Sequence, residues 1–381
     1  MHLFIIAGIQ CLIKRGDIGR TNFFNIILLS ASLQAKICVI ITAYNRREFL
    51  LEAVNSVLMN DLPRELYEIV VSKNFQDDHI DDFLQKNMVT MINTGDINIG
   101  EQLYLAISNS SGEIICFLDD DDRFKIDKLK YVYSRFSQDS QLVYYHNLTD
   151  SIDDRSDPIP GNIHRRISDN VVIRGPSADE IAKYLRTRDD FTLYSLMFNL
   201  SCVSIRRSAI LNYTGYLRKI IDGTDWFVFY CALLSSGKMQ FGTKILTDYR
   251  VHGSASNVLT TSASLTEIAK FSIGKFDVEG HYSLILSEFC RGTGAEGILR
   301  TKLLEERILM KIQGKGHQNI TLREYMEYLQ MLKYVAHPSI KSISVRFGFI
   351  FLSLFFPSIT GVFYNLYRRH SLMSRLSSKS V

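Results

Sequence analysis

The run EIICFLDDDD, Glu113–Asp122, constrains the fold more than any other stretch of the chain. Its apolar half lacks polar alternation, so a strand built from it needs cover on both faces, as in a parallel sheet flanked by helices. Its acidic half cannot be covered that way, because four adjacent carboxylates repel one another and call for water or cations. Both demands are met where a strand ends at the carboxyl edge of an open α/β sheet, since a ligand crevice begins there. A divalent cation bridging to a diphosphate would neutralise the cluster. Mg2+ and Mn2+ take oxygen ligands, often one or two carboxylates together with substrate phosphates. A solvated acidic turn capping a helix near Ile126 is the plainer alternative.

Neighbouring segments repeat the alternation of strand and helix. KICVIIT (Lys36–Thr42) is β-branched and apolar, and Phe49, Leu50, Ala53, Val54 and Val57 follow at helical spacing. Pro63 closes that unit before the strand-like YEIVVS (Tyr67–Ser72). A helix over Gly100–Ser108 leads into EIICFL, and one from Ile126 to Phe136 into QLVYYH (Gln141–His146). Elements of this size in this order imply an α/β domain with a mostly parallel sheet and helices on both faces. The polar stretch Asp150–Asp190, with PIPGNIHRR in its middle, predicts a long loop or lid. NLSCVSIR (Asn199–Arg206) predicts a further strand, Asp225–Ser235 a helix, and Ser262–Val335 a helical region.

Several of these segments together resemble the family 2 glycosyltransferases. ICVIITAYNRREFLLEAVNSVL (Ile37–Leu58) resembles that family's opening strand, loop and helix, and FLDDDD its acidic D-x-D motif. NIGEQLYLAISNSSGEI (Asn98–Ile114), GTDWFVFYCALLSSGK (Gly223–Lys238) and YRVHGSASN (Tyr249–Asn257) are similar to further segments in the same order. The resemblance covers Lys36–Asn257 and implies a GT-A fold, Rossmann-like in its nucleotide-binding half. It also implies an inverting transfer of sugar from a nucleotide-sugar donor, with Mg2+ or Mn2+ as cofactor.

Residue by residue, Asp119 and Asp121 match the two acids of D-x-D, with Asp121 the first candidate for metal ligand. Asp120 is expected at the donor ribose and Asp122 beside the metal. Asp225 matches the carboxylate that takes the acceptor proton, although a helix N-cap would explain an acid there equally simply. His252 matches a position that approaches metal or diphosphate. Ala43, Tyr44 and Asn45 follow the first strand, where the loop lies against the nucleotide. The pattern departs from the family after the second strand, where an Asp-Asp-Gly-Ser run is replaced by SKNFQDD. Lys73 and Asn74 stand there as candidate contacts to phosphate or to a different base edge, and Asp77 or Asp78 could replace the acid that reads the base. The Arg-Asn pair that often precedes the acidic motif is also missing, with Tyr104 and Leu105 in that region.

Outside this domain the chain divides into an apolar N-terminal segment of uncertain role (1–35), a helical extension (258–336) and a tail (337–381). The apolar runs Leu3–Ile13 and Phe23–Leu33 are each too short for an ordinary membrane-spanning helix. The second faintly resembles a signal peptide, which the need for a cytosolic substrate argues against; a mis-assigned start would explain the same segment. The tail holds six Lys or Arg and no acid, and within it Phe347–Leu366 runs twenty residues without a charge. Pro357, Gly361 and the basic flanks on both sides favour a re-entrant or in-plane helix at a membrane surface over a single crossing. A helix packed on the catalytic domain is the alternative.

The expected location is therefore the cytoplasmic face of a membrane, with a glycan or lipid-linked acceptor. A net charge of +4 is too small for nucleic acid as main partner. The six scattered cysteines lack CxxC spacing, which argues against a zinc site or a disulfide framework. Three other functions fit parts of the pattern. Transfer to a polyprenyl phosphate would have little need of Asp225 as base. A nucleotidyltransferase would carry a Gly-rich loop that TAYNRRE lacks. A non-catalytic, membrane-attached sugar-nucleotide-binding protein would not require both the acidic cluster and Asp225.

Overall fold

The computed structural model describes residues 36–159, 170–175, 180, 196–252, 290–293, 295–312, 320–331, 340–356 and 359–367. The N-terminal apolar runs and most of the expected lid lie outside the described residues, as do 253–289. Strands β1 (Ile37–Ala43), β2 (Tyr67–Lys73), β3 (Thr90–Asn93) and β4 (Ile114–Asp119) form a parallel unit in the order β3-β2-β1-β4. Helices α1 (Leu50–Leu58), α2 (Asp78–Lys86) and α3 (Ile99–Ser108) connect them. Every residue of β1 is buried, and its two-residue period feeds two cores. Ile37, Val39 and Ile41 pack with Leu50, Ala53, Val54 and Val57 of α1. Cys38 and Ile40 join the opposite core with Leu103, Ala106 and Ile107 of α3.

The side chain of Asp77 accepts from the Ile80 amide at 3.1 Å and caps α2; Asn98 caps α3 through the Glu101 amide at 2.9 Å. Gly100, in the first turn of α3, lets the helix touch the turn at 217–220. A Cβ there would lie 2.2 Å from the Leu217 carbonyl oxygen and 2.3 Å from that of Ile220.

The other half of the sheet is mixed, which corrects the expectation of a mostly parallel one. It contains β5 (Arg123–Phe124), β6 (Leu142–Ile152), β7 (Val171–Arg174), β8 (Val203–Arg206) and β9 (Lys238–Arg250), with α4 (Lys128–Gln138) and α5 (Thr224–Leu234) packed beside it. Strand β8 runs antiparallel between β4 and β6, so that Ile205 pairs with Ile115 on one side and Tyr144 on the other. Strand β9 is parallel to β6 and antiparallel to β5 and β7. An apolar run such as VSIR reads equally well in either direction; the connection decides, and that connection crosses the segment expected to be a lid. Part of that segment is itself strand, β7.

Helix α6 (Glu296–Ile312) belongs to two cores. Ile298 and Leu299 lie in the catalytic one, while Leu304, Ile308 and Ile312 pack with Tyr325 and Tyr328 of α7 (Leu322–Met331) and Ile350 of α8 (Ile340–Phe355). Thr321 and Glu324 form a reciprocal capping box at the start of α7, with bonds of 2.9 and 3.2 Å. Phe347–Leu366 is not one helix, because α8 ends at Phe355 and helix resumes over 359–367. Among the described residues no helix is long and apolar enough to cross a membrane. A crossing by this stretch is therefore not seen.

Candidate active site

Strands β1 and β4 are neighbours, with Thr42 opposite Asp119, so the loops that follow them lie side by side. The loop after β1 turns sharply at Asn45, whose φ is 56°. Asn45 and Asn74 hold each other there: the Asn45 amide donates to Asn74 Oδ1 at 2.7 Å, and Asn74 Nδ2 donates to Asn45 Oδ1 at 2.9 Å. Ala43 is buried at the end of β1, and the exposed Tyr44 donates its hydroxyl to Asp96 at 3.0 Å. Lys73 does not face the crevice. Its side chain is fully buried, with Nζ 2.8 Å from Asp81 and donating to the Phe75 carbonyl, so it is not placed for the expected contact to phosphate or base.

The acidic turn divides its four carboxylates between structure and chemistry. Asp122 is buried; one oxygen accepts from Asn199 Nδ2 at 2.6 Å and the other from the Arg250 amide at 2.9 Å. This side chain anchors the turn and is not presented as a metal ligand, contrary to expectation. The Asp119 amide donates to the Ser201 hydroxyl at 2.9 Å. Burial and the carboxylates of Asp122, Asp121, Asp120 and Asp225 raise the Asp119 carboxyl well above the usual carboxylate range. Burial pushes Asp120 up to about 6 despite the Arg46 guanidinium beside it, and burial with Asp121 nearby pushes Asp122 up to about 7. The turn holds more negative charge than its cations balance.

Arg46 and His252 close around Asp121. Arg46 donates from Nε to Asp120 Oδ1 at 3.1 Å, pairs with the same oxygen through Nη2, and lies 2.8 Å from Asp121 Oδ2 through Nη1. His252 Nε2 is 2.9 Å from that Asp121 oxygen and 3.3 Å from Arg46 Nη1, and its ring stacks obliquely on Phe49 at 5.4 Å. Beneath them the fully buried Arg250 straps the turn to the fold. It donates to the Asp121 carbonyl at 2.7 Å and the Asp153 carbonyl at 2.8 Å, pairs with Glu52 at 2.7 Å, and lies over the Phe49 ring.

The residues fit a divalent cation shared with a ligand. Asp120 Oδ2 is buried without a hydrogen-bond partner, and Asp121 with His252 offers one oxygen and one nitrogen at contact distance. Among the described residues, no group of three or more His, Cys, Asp or Glu is arranged to hold a metal. Diphosphate oxygens would have to complete the coordination, as Mg2+ and Mn2+ sites commonly require.

Asp225 sits in the first turn of α5, where Gly223, left-handed at φ 74°, takes the N-cap position without a side-chain cap. Asp225 Oδ1 accepts from the Trp226 amide at 2.9 Å, so one oxygen serves the first turn, although the N-cap position itself is not Asp225's. Its charge adds, as the smallest of the named contributions, to those that raise Asp119. Sequence reasoning missed Arg250, Asn199 and Ser201.

Residues 38–213 match the sequence model described as Glycosyl transferase family 2. An uncharacterized glycosyltransferase of Nostoc sp. is 26% identical over 255 residues, covering 63% of this chain and 72% of the relative. Among solved structures, S. aureus TarS 1–349 is similar at 13% identity with a TM-score of 0.48, over 78% of this chain and 80% of that one. The same protein in complex with UDP-GlcNAc gives 15% identity and a TM-score of 0.48, over 78% and 79%.

Proposed function

We propose that the chain is a family 2 glycosyltransferase, a reading supported by the match of residues 38–213, and that it transfers a sugar, with inversion, from a nucleotide-sugar donor to a hydroxyl of a lipid-linked or cell-surface glycan. The observation that carries this reading is the acidic turn at the end of β4, where Arg46 and His252 close around Asp121. An inverting displacement needs a base on the acceptor side and positive charge on the leaving-group side. Asp225 and the Asp121–His252 pair are suited to those two tasks.

The acceptor oxygen forms the new bond to the anomeric carbon as the bond from that carbon to the diphosphate oxygen breaks. The acceptor proton passes to the Asp225 carboxylate, and the electron pair leaves with the diphosphate. Asp121 and His252 would hold the Mg2+ or Mn2+, which supplies Lewis-acid stabilisation of the departing charge. Asn45 and Asn74, locked to each other, shape the floor for the nucleotide, and Arg46 is within reach of its phosphates.

The proposed location is the cytoplasmic face of a membrane, a reading supported by the apolar helix surface at the C-terminal end. Asp225→Asn keeps the bond to the Trp226 amide but cannot accept the proton. It is expected to leave donor binding largely intact while lowering turnover about 10²–10⁴-fold. Calorimetric titration of the donor beside steady-state rates tests this, and a near-normal rate with a hydroxyl acceptor would reduce Asp225 to a helix-terminal acid.

A further inference from the structure

We infer that α8 and the helix over 359–367 form a hairpin lying flat in an anionic lipid leaflet, its outer side chains among the acyl chains. This deepens the membrane reading above and does not depend on the donor or the reaction.

The hairpin follows from ring contacts. Phe349 in α8 packs edge-on against Tyr364 at 5.4 Å and Tyr367 at 5.6 Å, so the second helix folds back along the first. Neither helix can span. A helix of 16 residues is about 24 Å long at 1.5 Å per residue, short of the ~30 Å hydrocarbon core.

Polar side chains share the inward face with Ile350, while large apolar ones face outward. Ser353, Thr360 and Asn365 are turned inward. The Ser353 hydroxyl donates to the Ile350 carbonyl at 2.7 Å and meets the Tyr325 hydroxyl at 3.4 Å; that of Thr360 donates to the Phe356 carbonyl at 2.7 Å. Facing outward are Phe351, Phe355, Phe356, Ile359, Val362 and Phe363, between 53% and 62% exposed. A monomer in water seldom carries an apolar surface of this kind, and where one occurs it marks an interaction site.

Charge identifies the occupant. Lys341 and Arg346 precede the apolar stretch and Arg368 and Arg369 follow it, with no acid between His337 and Val381. Cations on both sides of an apolar stretch of sequence suit an element lying among anionic headgroups and acyl chains. A second copy would set the same cations against one another. The chain's own N-terminal runs, flanked by Lys14, Arg15 and Arg20, would add more of the same sign. Helix α6, rooted in both the catalytic core and the tail core, would hold the crevice in a fixed relation to the lipid surface.

The experiment is flotation of the full chain with vesicles of phosphatidylcholine alone or mixed with phosphatidylglycerol, in low and high salt. The parent chain is expected to float with the mixed vesicles, less so in high salt. Replacing three outward residues together (Phe351→Ser, Phe355→Ser and Phe363→Ser) should weaken flotation at least tenfold while leaving the thermal midpoint unchanged. As a second variant that keeps the apolar face, Phe356→Trp should be quenched by lipids brominated near the headgroup end more than by those brominated near the bilayer centre. Any of four results would overturn the inference: a parent chain that stays with the protein fraction; flotation unaffected by the triple replacement; stronger quenching from the bilayer centre; or flotation only after removal of residues 1–35, which would make that segment the natural cover. A concentration-dependent dimer lost in the triple variant, without vesicle binding, would assign the face to a second copy instead. None of these readouts involves sugar transfer, so each can fail while the catalytic reading stands.

Discussion

Arg46 spans Asp120 and Asp121, so any metal that binds these acids competes with a guanidinium already in place. Arg46→Gln is expected to tighten binding of Mn2+ alone by about tenfold, close to 1.4 kcal/mol. Titration calorimetry or the loss of free Mn2+ resonance reads this, and unchanged or weaker binding would show that Arg46 and metal occupy different places. Asp121→Ala, by the same geometry, should abolish the Mn2+ signal and turnover without unfolding the chain.

Protonation adds a further test. Asp120 is raised to about 6 by burial. A carboxylate raised on folding contributes stability below its ordinary range and loses it as pH climbs through the folded value. Metal-free protein should therefore lose stability relative to Asp120→Asn between pH 4 and 7, by on the order of 2–3 kcal/mol. Parallel pH profiles of the two thermal midpoints would contradict this. Asp119 and Asp121 stood out in the sequence because four acids directly after an apolar strand are unusual, whereas Asp225 was singled out only by the family resemblance. Arg46 did not stand out, since its contact with Asp120 joins residues 74 positions apart and exists only because β1 and β4 are neighbours.

At the scale of elements, β1, β2 and β4 were legible almost to the residue, because they are almost wholly buried and carry no polar alternation to confuse with a helix. β3, four residues of which none is buried, was missed. β9 was missed because its 13 residues mix Lys, Gln, Thr and Asp with apolar positions, a pattern set by pairing with three strands rather than by a uniform environment. α2 was missed for a related reason: of its nine residues only Ile80 and Leu84 are buried. The contact of α3 with the turn at 217–220 positions the approach to α5. Gly100→Ala would drive a Cβ into two backbone carbonyls, at a cost of roughly 1–3 kcal/mol. It should lower the thermal midpoint and, by shifting the segment before Asp225, reduce turnover more than donor affinity. A variant as stable and active as the parent would mean that α3 and the turn can separate freely.

Over the whole molecule, α6 ties the catalytic domain to a tail core that sequence could announce only as helical. That core changes what a truncation means. Removing His337–Val381 takes away Ile350 and uncovers Leu304, Ile308 and Tyr325, so loss of the tail costs packing as well as any membrane attachment. Outward-facing substitutions separate the two effects where deletion does not. The central claim, inverting sugar transfer from a nucleotide donor, is tested most directly by time-resolved NMR of nucleotide-sugar hydrolysis, with water as acceptor. The account predicts that a donor is cleaved with Mn2+ and not in EDTA, and that the first sugar released has the opposite anomeric configuration to the donor. Release with retained configuration, or undiminished cleavage after metal removal, would contradict it.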